Sequence, residues 1–251
     1  MAFEITKQNG VATFTILRPQ RKNAISTAVA DGLERFLNEI ENDGGVFYAV
    51  ITGSDGTFCS GGDLAEYQSL VTSEDAYPML SRMANLLYRL AILPVPTIAL
   101  IDGIAVGGGC EIATACDYRL MANDASAGFI QGTLAITTGW GGATLLYEKM
   151  NKHDALLRFL SGAKLHTASQ LQTFGWATEV YEGTAEDALR QFIAQMAKVY
   201  PSVHCAYKKV ATRKWKQASL LERMLEEVAL CARLWESDAH HAAVRKFLRK
   251  G

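Results

Sequence analysis

Three consecutive glycines and a glutamate lie in the segment AVGGGCEIATACD, residues 105–117. The small apolar residues that follow predict a buried helix that begins near Gly108 and carries Glu111 in its first turn. The first amides of a helix have no partner within it and lie at the positive end of its dipole. Because glycine has no side chain, another molecule can approach these amides closely. The segment could therefore supply backbone donors and one carboxylate to a reaction.

A second glycine turn, FCSGGDL, occupies residues 58–64. Each turn follows an apolar run, at 46–52 and at 96–101, that is typical of a strand covered on both faces. Two such turns brought together could direct two backbone N–H groups at one oxygen, which is the composition of an oxyanion hole. The alternative is that the glycines only allow tight turns and close packing of helix on strand. Neither run matches the glycine patterns that bind nucleotide phosphates.

Strands and helices alternate in the elements that must position these turns. Alternating or continuous apolar runs predict strands at 11–17, 46–52, 96–101 and 118–122. Helices are predicted after the capping residue Ser26 and over residues 77–91. This order favours an α/β fold with crossover connections.

The pattern is nearly all helical from about residue 143 onward. We therefore predict a core over residues 1–195 that holds the site and a helical region over residues 196–251. The most periodic helix covers residues 218–237. Its predicted buried positions are Leu221, Leu225, Val228 and Leu234.

Composition excludes several classes of function. The net charge of −1 gives no reason to expect nucleic acid or an anionic membrane as a partner. The five cysteines form no CxxC pair, which indicates a reduced protein without a metal centre. No apolar stretch is long enough to span a membrane, and the first residues do not resemble a signal peptide. We expect a cytoplasmic protein.

Several segments together resemble the crotonase (enoyl-CoA hydratase/isomerase) superfamily, in the order and spacing of that family. They are RPQRKNAIS (18–26), VITGSDGTFCSGGDL (50–64), PTIALIDGIAVGGGCEIATACDYRLMA (96–122), GWGGATLL (139–146) and the tail ending VRKFLRKG. The resemblance implies a ClpP-like spiral of ββα units with a helical C-terminal trimerisation region. It also implies an acyl-CoA substrate, no cofactor beyond the coenzyme A of that substrate, and a homotrimer or hexamer.

The resemblance assigns roles to particular residues. The amides of Gly62 and Gly108 would hold the thioester oxygen, and Glu111 is the first of the two glutamates that family hydratases use. Gln131 stands where the second glutamate belongs. Coenzyme A and the acyl group would be contacted by Arg21, Lys22, Ala24, Asp63, Leu64, Trp140 and Lys250.

Gln131 decides between reactions, because an amide cannot exchange a proton near neutral pH whereas efficient hydration uses two acids. The segments around it resemble the ethylmalonyl-CoA decarboxylase branch more than the hydratase branch. We therefore expect decarboxylation of ethylmalonyl-CoA or methylmalonyl-CoA, with Glu111 positioning or protonating the substrate and Gln131 binding its carboxylate. The alternatives are an enoyl-CoA hydratase or isomerase, and a binder of thioesters or RNA with little turnover. RNA would use the basic segment 208–216, which is otherwise typical of a solvent-exposed helix face.

Overall fold

The computed structural model of the protein describes residues 1–249. The strands in this range are β1 Phe3–Gln8, β2 Val11–Ile16, β3 Tyr48–Gly53, β4 Thr57–Cys59, β5 Thr97–Ile101, β6 Ile104–Val106, β7 Tyr118–Ala122, β8 Ser126–Gly128, β9 His166–Thr167 and β10 Glu179–Tyr181. The helices are α1 Thr27–Glu41, α2 Leu64–Tyr67, α3 Ser73–Ile92, α4 Gly108–Ala115, α5 Gly142–Lys149, α6 His153–Ser161, α7 Ala168–Phe174, α8 Ala185–Met196, α9 Pro201–Gln217, α10 Leu220–Trp235 and α11 Asp238–Leu248. Short 3₁₀ helices cover Pro19–Arg21 and Gln131–Leu134. Within residues 1–249 no helix combines the length and the apolar character needed to cross a membrane.

The strands form two sheets, and the chain alternates between them. The larger sheet has the order β1-β2-β3-β5-β7-β10, and the smaller has the order β4-β6-β8-β9. Each of the pairs β3–β4, β5–β6 and β7–β8 places its first strand in the larger sheet and its second in the smaller one, and a helical segment follows. Neighbouring strands from β2 to β10 of the larger sheet are parallel. The predicted spiral of ββα units is confirmed.

The predicted strands of the larger sheet are present because their residues suit a covered position. Ala12, Phe14 and Ile16 of β2 are buried, as their alternation predicted. The strands β4, β6 and β8 of the smaller sheet were not predicted. Each is three residues long, too short to show a period of two.

Side-chain caps fix the starts of the two long helices that flank the sheets. The Ser26 hydroxyl accepts the N–H of Val29 at 3.4 Å, which begins α1 where the sequence predicted. Thr72 and Asp75 form a reciprocal capping box at the start of α3. This box extends α3 four residues earlier than the predicted start at residue 77.

The C-terminal helices pack against the core as well as against one another, and α10 lies along α3 and α5. The buried residues of α10 are Leu220, Met224, Val228, Cys231, Ala232 and Trp235. The prediction was therefore right for Val228 and wrong for Leu221 and Leu225, which are half-buried, and for Leu234, which is exposed. The buried stripe is displaced because α10 contacts two helices whose positions periodicity alone does not reveal. The division at residues 195 and 196 stays a prediction.

Candidate active site

The two glycine turns predicted from the sequence lie against each other. The first turn is fixed by Ile25, whose N–H donates to the Gly61 carbonyl at 2.8 Å and whose carbonyl accepts the N–H of Asp63 at 2.9 Å. A methyl group built on Gly61 would lie only 3.1 Å from the amide nitrogen of Gly108. Gly61 and Gly107 have φ angles of 94° and 56°, in the left-handed region that favours glycine. The glycines thus permit both the turns and their close approach.

Two backbone donors remain free where the turns meet. Within residues 1–249 neither the N–H of Gly62 nor that of Gly108 donates to another protein atom. Gly108 is the first residue of α4, so its amide has no acceptor within the helix. The helix dipole adds positive potential at this end. Such donors can stabilise the negative charge of an enolate oxygen, which is the chemistry of an oxyanion hole.

The indole ring of Trp140 covers both glycines. A methyl group built on Gly108 would lie 2.2 Å from Cζ3 of Trp140, and one built on Gly62 would lie 3.6 Å from Cζ2. Trp140 is 4% exposed. The indole is therefore a wall beside the free amides, and its contact with an acyl group stays a prediction.

Glu111 lies in the first turn of α4 and is 2% exposed. Its Oε2 accepts the N–H of Trp140 and that of Gly142, each at 2.8 Å. Its Oε1 accepts the N–H of Gly139 at 3.2 Å and Nε2 of Gln131 at 3.0 Å. The carboxyl group that the sequence placed inside the helix thus joins α4, which follows the second glycine turn, to the loop carrying Trp140.

The surroundings of Glu111 have opposing effects on its pKa. Burial raises the pKa of Glu111 to about 8, and the negative charge of Glu227 adds to this effect. The three backbone amides favour the ionised form and act against the rise in pKa. The pKa of Glu111 thus lies close to neutral pH, so the carboxyl group can exchange a proton within the physiological range.

Gln131 begins the 3₁₀ helix that follows β8 and lies next to the second glycine turn. Its Cδ would be 3.8 Å from a methyl group built on Gly107. One hydrogen of Nε2 is used by Glu111, and Oε1 is buried without a hydrogen-bond partner among residues 1–249. The structure thus brings Gln131 into hydrogen-bond contact with Glu111.

Asp63 and Leu64 lie directly after the first glycine turn. Asp63 caps α2 by accepting the N–H of Ala65 at 3.2 Å and that of Glu66 at 3.4 Å, and its Oδ2 lies 2.8 Å from Nη2 of Arg18. Burial acts to raise the pKa of Asp63, but these hydrogen bonds outweigh it and lower the pKa. Leu64 lines a cavity of about 220 Å³ between α2 and α11.

Comparison with known proteins agrees with this geometry. Residues 6–251 match the family described as enoyl-CoA hydratase/isomerase. The chain belongs to the enoyl-CoA hydratase/isomerase, or crotonase, family. The resemblance inferred from the sequence motifs is therefore confirmed, and the protein is an acyl-CoA enzyme of the crotonase superfamily.

Curated relatives and solved structures cover nearly the whole chain. The ethylmalonyl-CoA decarboxylase of Danio rerio is 33% identical over 95% of this chain and 80% of its own length. The Homo sapiens protein of the same name is 32% identical over 96% of this chain and 79% of its own. An enoyl-CoA hydratase/isomerase from Xanthobacter autotrophicus Py2 has a TM-score of 0.89 at 22% identity, covering 100% of this chain and 94% of its own. At that identity the structural likeness shows the crotonase fold alone.

The loop that the crotonase resemblance assigns to coenzyme A runs beside the first glycine turn. The N–H of Ser60 donates to the Lys22 carbonyl at 3.0 Å, which holds the two segments together. The side chains of Arg21 and Lys22 are exposed, whereas Ala24 is buried. Their contacts with coenzyme A stay predictions. Lys250 lies outside the described residues.

Sequence reasoning missed two residues of this crotonase site. Arg18 belongs to a quoted motif, yet its ion pair with Asp63 joins positions far apart in the chain. Glu227 was missed within the periodic C-terminal helix, although a glutamate seven residues after Leu220 lies on the buried side of that helix. This position on an apolar stripe was the available signal.

The basic segment 208–216 is exposed at Lys209, Arg213, Lys214 and Lys216 and buried at Lys208. Lys208 is 8% exposed; its Nζ lies 2.6 Å from Oδ2 of Asp117 and donates to the Val95 carbonyl at 2.7 Å. Trp215 is also buried.

In the described part of the chain, no cluster of three or more His, Cys, Asp or Glu side chains is placed to hold a metal ion.

Proposed function

We propose that this protein decarboxylates a short malonyl-type thioester, ethylmalonyl-CoA or methylmalonyl-CoA. One observation carries the proposal: beside the free amides, the buried Glu111 is hydrogen-bonded to the amide of Gln131 rather than to a second carboxyl group. Hydration requires both removal of a proton from water and delivery of a proton to carbon, and an amide can do neither near neutral pH. Decarboxylation requires a single proton donor. The names and identities of the curated relatives support the same choice.

The residues then have distinct tasks in the reaction. The bond between the α-carbon and the carboxylate breaks, CO₂ leaves, and the electron pair moves into the thioester to form an enolate. The N–H groups of Gly62 and Gly108 donate to the enolate oxygen. Gln131 holds the substrate carboxylate through the second hydrogen of Nε2. Glu111, protonated at neutral pH, delivers the proton to the α-carbon.

Enoyl-CoA hydratase or isomerase activity is the second candidate, because Glu111 occupies the position of the first hydratase glutamate. A thioester binder with little turnover would show neither activity. RNA binding has less support, since the net charge is −1 and Lys208 is engaged with Asp117 and Val95 in the interior.

The test supplies purified protein with ethylmalonyl-CoA, methylmalonyl-CoA and crotonyl-CoA in separate reactions. We expect release of CO₂ and formation of butyryl-CoA or propionyl-CoA, measured by mass spectrometry. Fast loss of the enoyl absorbance with crotonyl-CoA, without CO₂ from the other two thioesters, would reject decarboxylation.

Two sets of variants separate chemistry from binding. Glu111→Gln should lower kcat by about 10²–10⁴ and leave KM nearly unchanged, because it removes the proton donor and replaces one accepting oxygen by an NH₂ group. Arg21→Ala and Lys22→Ala should raise KM and leave kcat nearly unchanged, because they remove charge from the coenzyme A phosphates. Unchanged turnover in Glu111→Gln would show that Glu111 has only a structural role in the helix.

The remaining expectations from the sequence stay predictions. Exposed apolar side chains on α9 and α10, Tyr207, Val210 and Leu230 among them, are compatible with the expected homotrimer or hexamer. The cytoplasmic location and the lack of a cofactor beyond coenzyme A also stay predictions.

A further inference from the structure

A second carboxylate lies beside Glu111 and has no task in the proposed reaction. Glu227 of α10 accepts the N–H of Ala143 at 3.1 Å, and the N–H and hydroxyl of Thr144 at 2.7 and 2.6 Å. It also accepts the Thr138 hydroxyl. Four donors hold this carboxylate in place, so it is a fixed negative charge rather than a mobile base.

The two carboxylates bind the same segment, the loop 138–144, which ends in the first residues of α5. Glu111 binds the amides of residues 139, 140 and 142, and Glu227 binds groups of residues 138, 143 and 144. From residue 138 to residue 144, only Gly141 is bonded to neither carboxylate. The loop also carries Trp140, whose ring packs on Gly62 and Gly108. Holding the loop therefore holds that wall in position.

The charge of Glu227 also acts on Glu111. The other titratable groups packed around Glu111 are neutral thiols or lie at the far end of α5. They are Cys110 and Cys231, whose pKa burial raises, and Lys149, which donates to the carbonyls of Ala115 and Cys116. A negative charge next to a buried carboxyl group disfavours its ionisation. The charge of Glu227 therefore acts to keep the proton on Glu111.

We propose that Glu227 is a positioning residue for Glu111. It holds both ends of the loop 138–144 by hydrogen bonds, and it places a fixed negative charge beside Glu111. The proposal rests on the role given above to Glu111 as the proton donor. It makes the C-terminal helical region part of the reaction machinery, because α10 supplies the charge and α4 supplies the acid.

The test compares Glu227→Gln with Glu227→Asp and with Glu226→Gln. Glutamine has the same size without the charge, aspartate keeps the charge but draws it back from the loop, and Glu226 is an exposed neighbour on the same helix. The titration of Glu111 is followed without substrate by infrared difference spectroscopy, with each protein's own Glu111→Gln variant as the reference. We expect the midpoint to fall by about one pH unit or more in Glu227→Gln alone.

Kinetics supply a second readout. The basic limb of the pH dependence of kcat should move to lower pH by the same amount in Glu227→Gln, while KM changes little. Glu227→Asp should lower kcat, because the loop loosens, without moving that limb. An unchanged midpoint in Glu227→Gln, or equal shifts in Glu227→Asp or Glu226→Gln, would overturn the proposal.

If Glu227→Gln does not fold, Glu227→Asp still decides the matter, because it keeps the charge and withdraws it from the loop. A kcat in Glu227→Asp equal to that of the wild type would overturn the proposal. The infrared readout is independent of the thioester turned over, so it can succeed even if decarboxylation is the wrong reaction.

Discussion

Replacing Gly108 by alanine tests whether the site depends on close contact between the start of α4 and Trp140. The added methyl group would lie 2.2, 2.4 and 2.9 Å from Cζ3, Cη2 and Cε3 of the indole. Carbon atoms in contact rest about 3.5–4.0 Å apart, so the ring must retreat by more than about 1 Å. The backbone at Trp140 resists this movement because its N–H and that of Gly142 are both bound to Glu111 at 2.8 Å.

The size of the effect follows from this overlap. Overpacking of a filled interior costs about 1–3 kcal/mol, and we expect the unfolding free energy of Gly108→Ala to fall by that amount. Turnover should fall by about 10²–10³, the usual cost of losing one oxyanion donor, because the amide of residue 108 moves with the strained helix start.

Two further variants make the result specific. Gly62→Ala is the matched control, since its methyl group would make ordinary contacts of 3.5 Å with Tyr67 and 3.6 Å with Trp140. Its unfolding free energy should stay within about 0.5 kcal/mol of the wild type. Trp140→Phe removes the outer indole atoms, so the double variant Gly108→Ala/Trp140→Phe should recover about 1 kcal/mol or more relative to additive effects.

Urea unfolding followed by circular dichroism gives the free energies, and the thioester assay gives kcat. A Gly108→Ala protein as stable and as active as the wild type would refute the reasoning. So would a double variant that shows no recovery, because the strain would then lie somewhere other than at the indole.

Two other substitutions test the partners of the site. Gln131→Glu would place two carboxyl groups within hydrogen-bond distance, so that they share a proton and the site gains a second acid. Residual hydration of crotonyl-CoA should therefore rise. No gain would contradict the alignment of Gln131 with the second family glutamate. Arg18→Ala should destabilise the protein by about 3 kcal/mol at neutral pH, because it leaves Asp63 without its cation. The native pKa of Asp63 lies below its ordinary value of 3.8, so the advantage of the wild type is complete above that value and is lost as the pH falls through the native pKa. Urea unfolding of both proteins at neutral and at acid pH checks this. A difference as large in acid as at neutral pH would contradict it, since within residues 1–249 only the Arg18 side-chain bond to the Ala24 carbonyl is independent of Asp63.

Local features of the site could be predicted because short segments encode them. The glycines of both turns, the helix start at Gly108 and the position of Glu111 in its first turn follow from neighbouring residues. The covered strands before the turns follow from apolar runs. The contact of Gln131 with Glu111 was reachable through the family resemblance, since Gln131 aligns with the second family glutamate between two matching segments.

Glu227 and Arg18 could not be found in the same way. Glu227 belongs to a periodic helix, and periodicity shows that one face is buried without showing what lies against it. The misplaced stripe of α10 has the same origin, because α3 and α5 choose which residues are covered.

The amino-acid sequence by itself determined the order of elements, the two flexible turns and the single acid beside them, because backbone freedom and burial of apolar runs act over a few residues. Only the tertiary structure decided that the turns meet, that Trp140 covers them, and that the carboxyl group of Glu111 is shielded from water beside a second negative charge. Electrostatic effects depend on distance and on exclusion of water, and both are set by elements that fold together from distant parts of the chain.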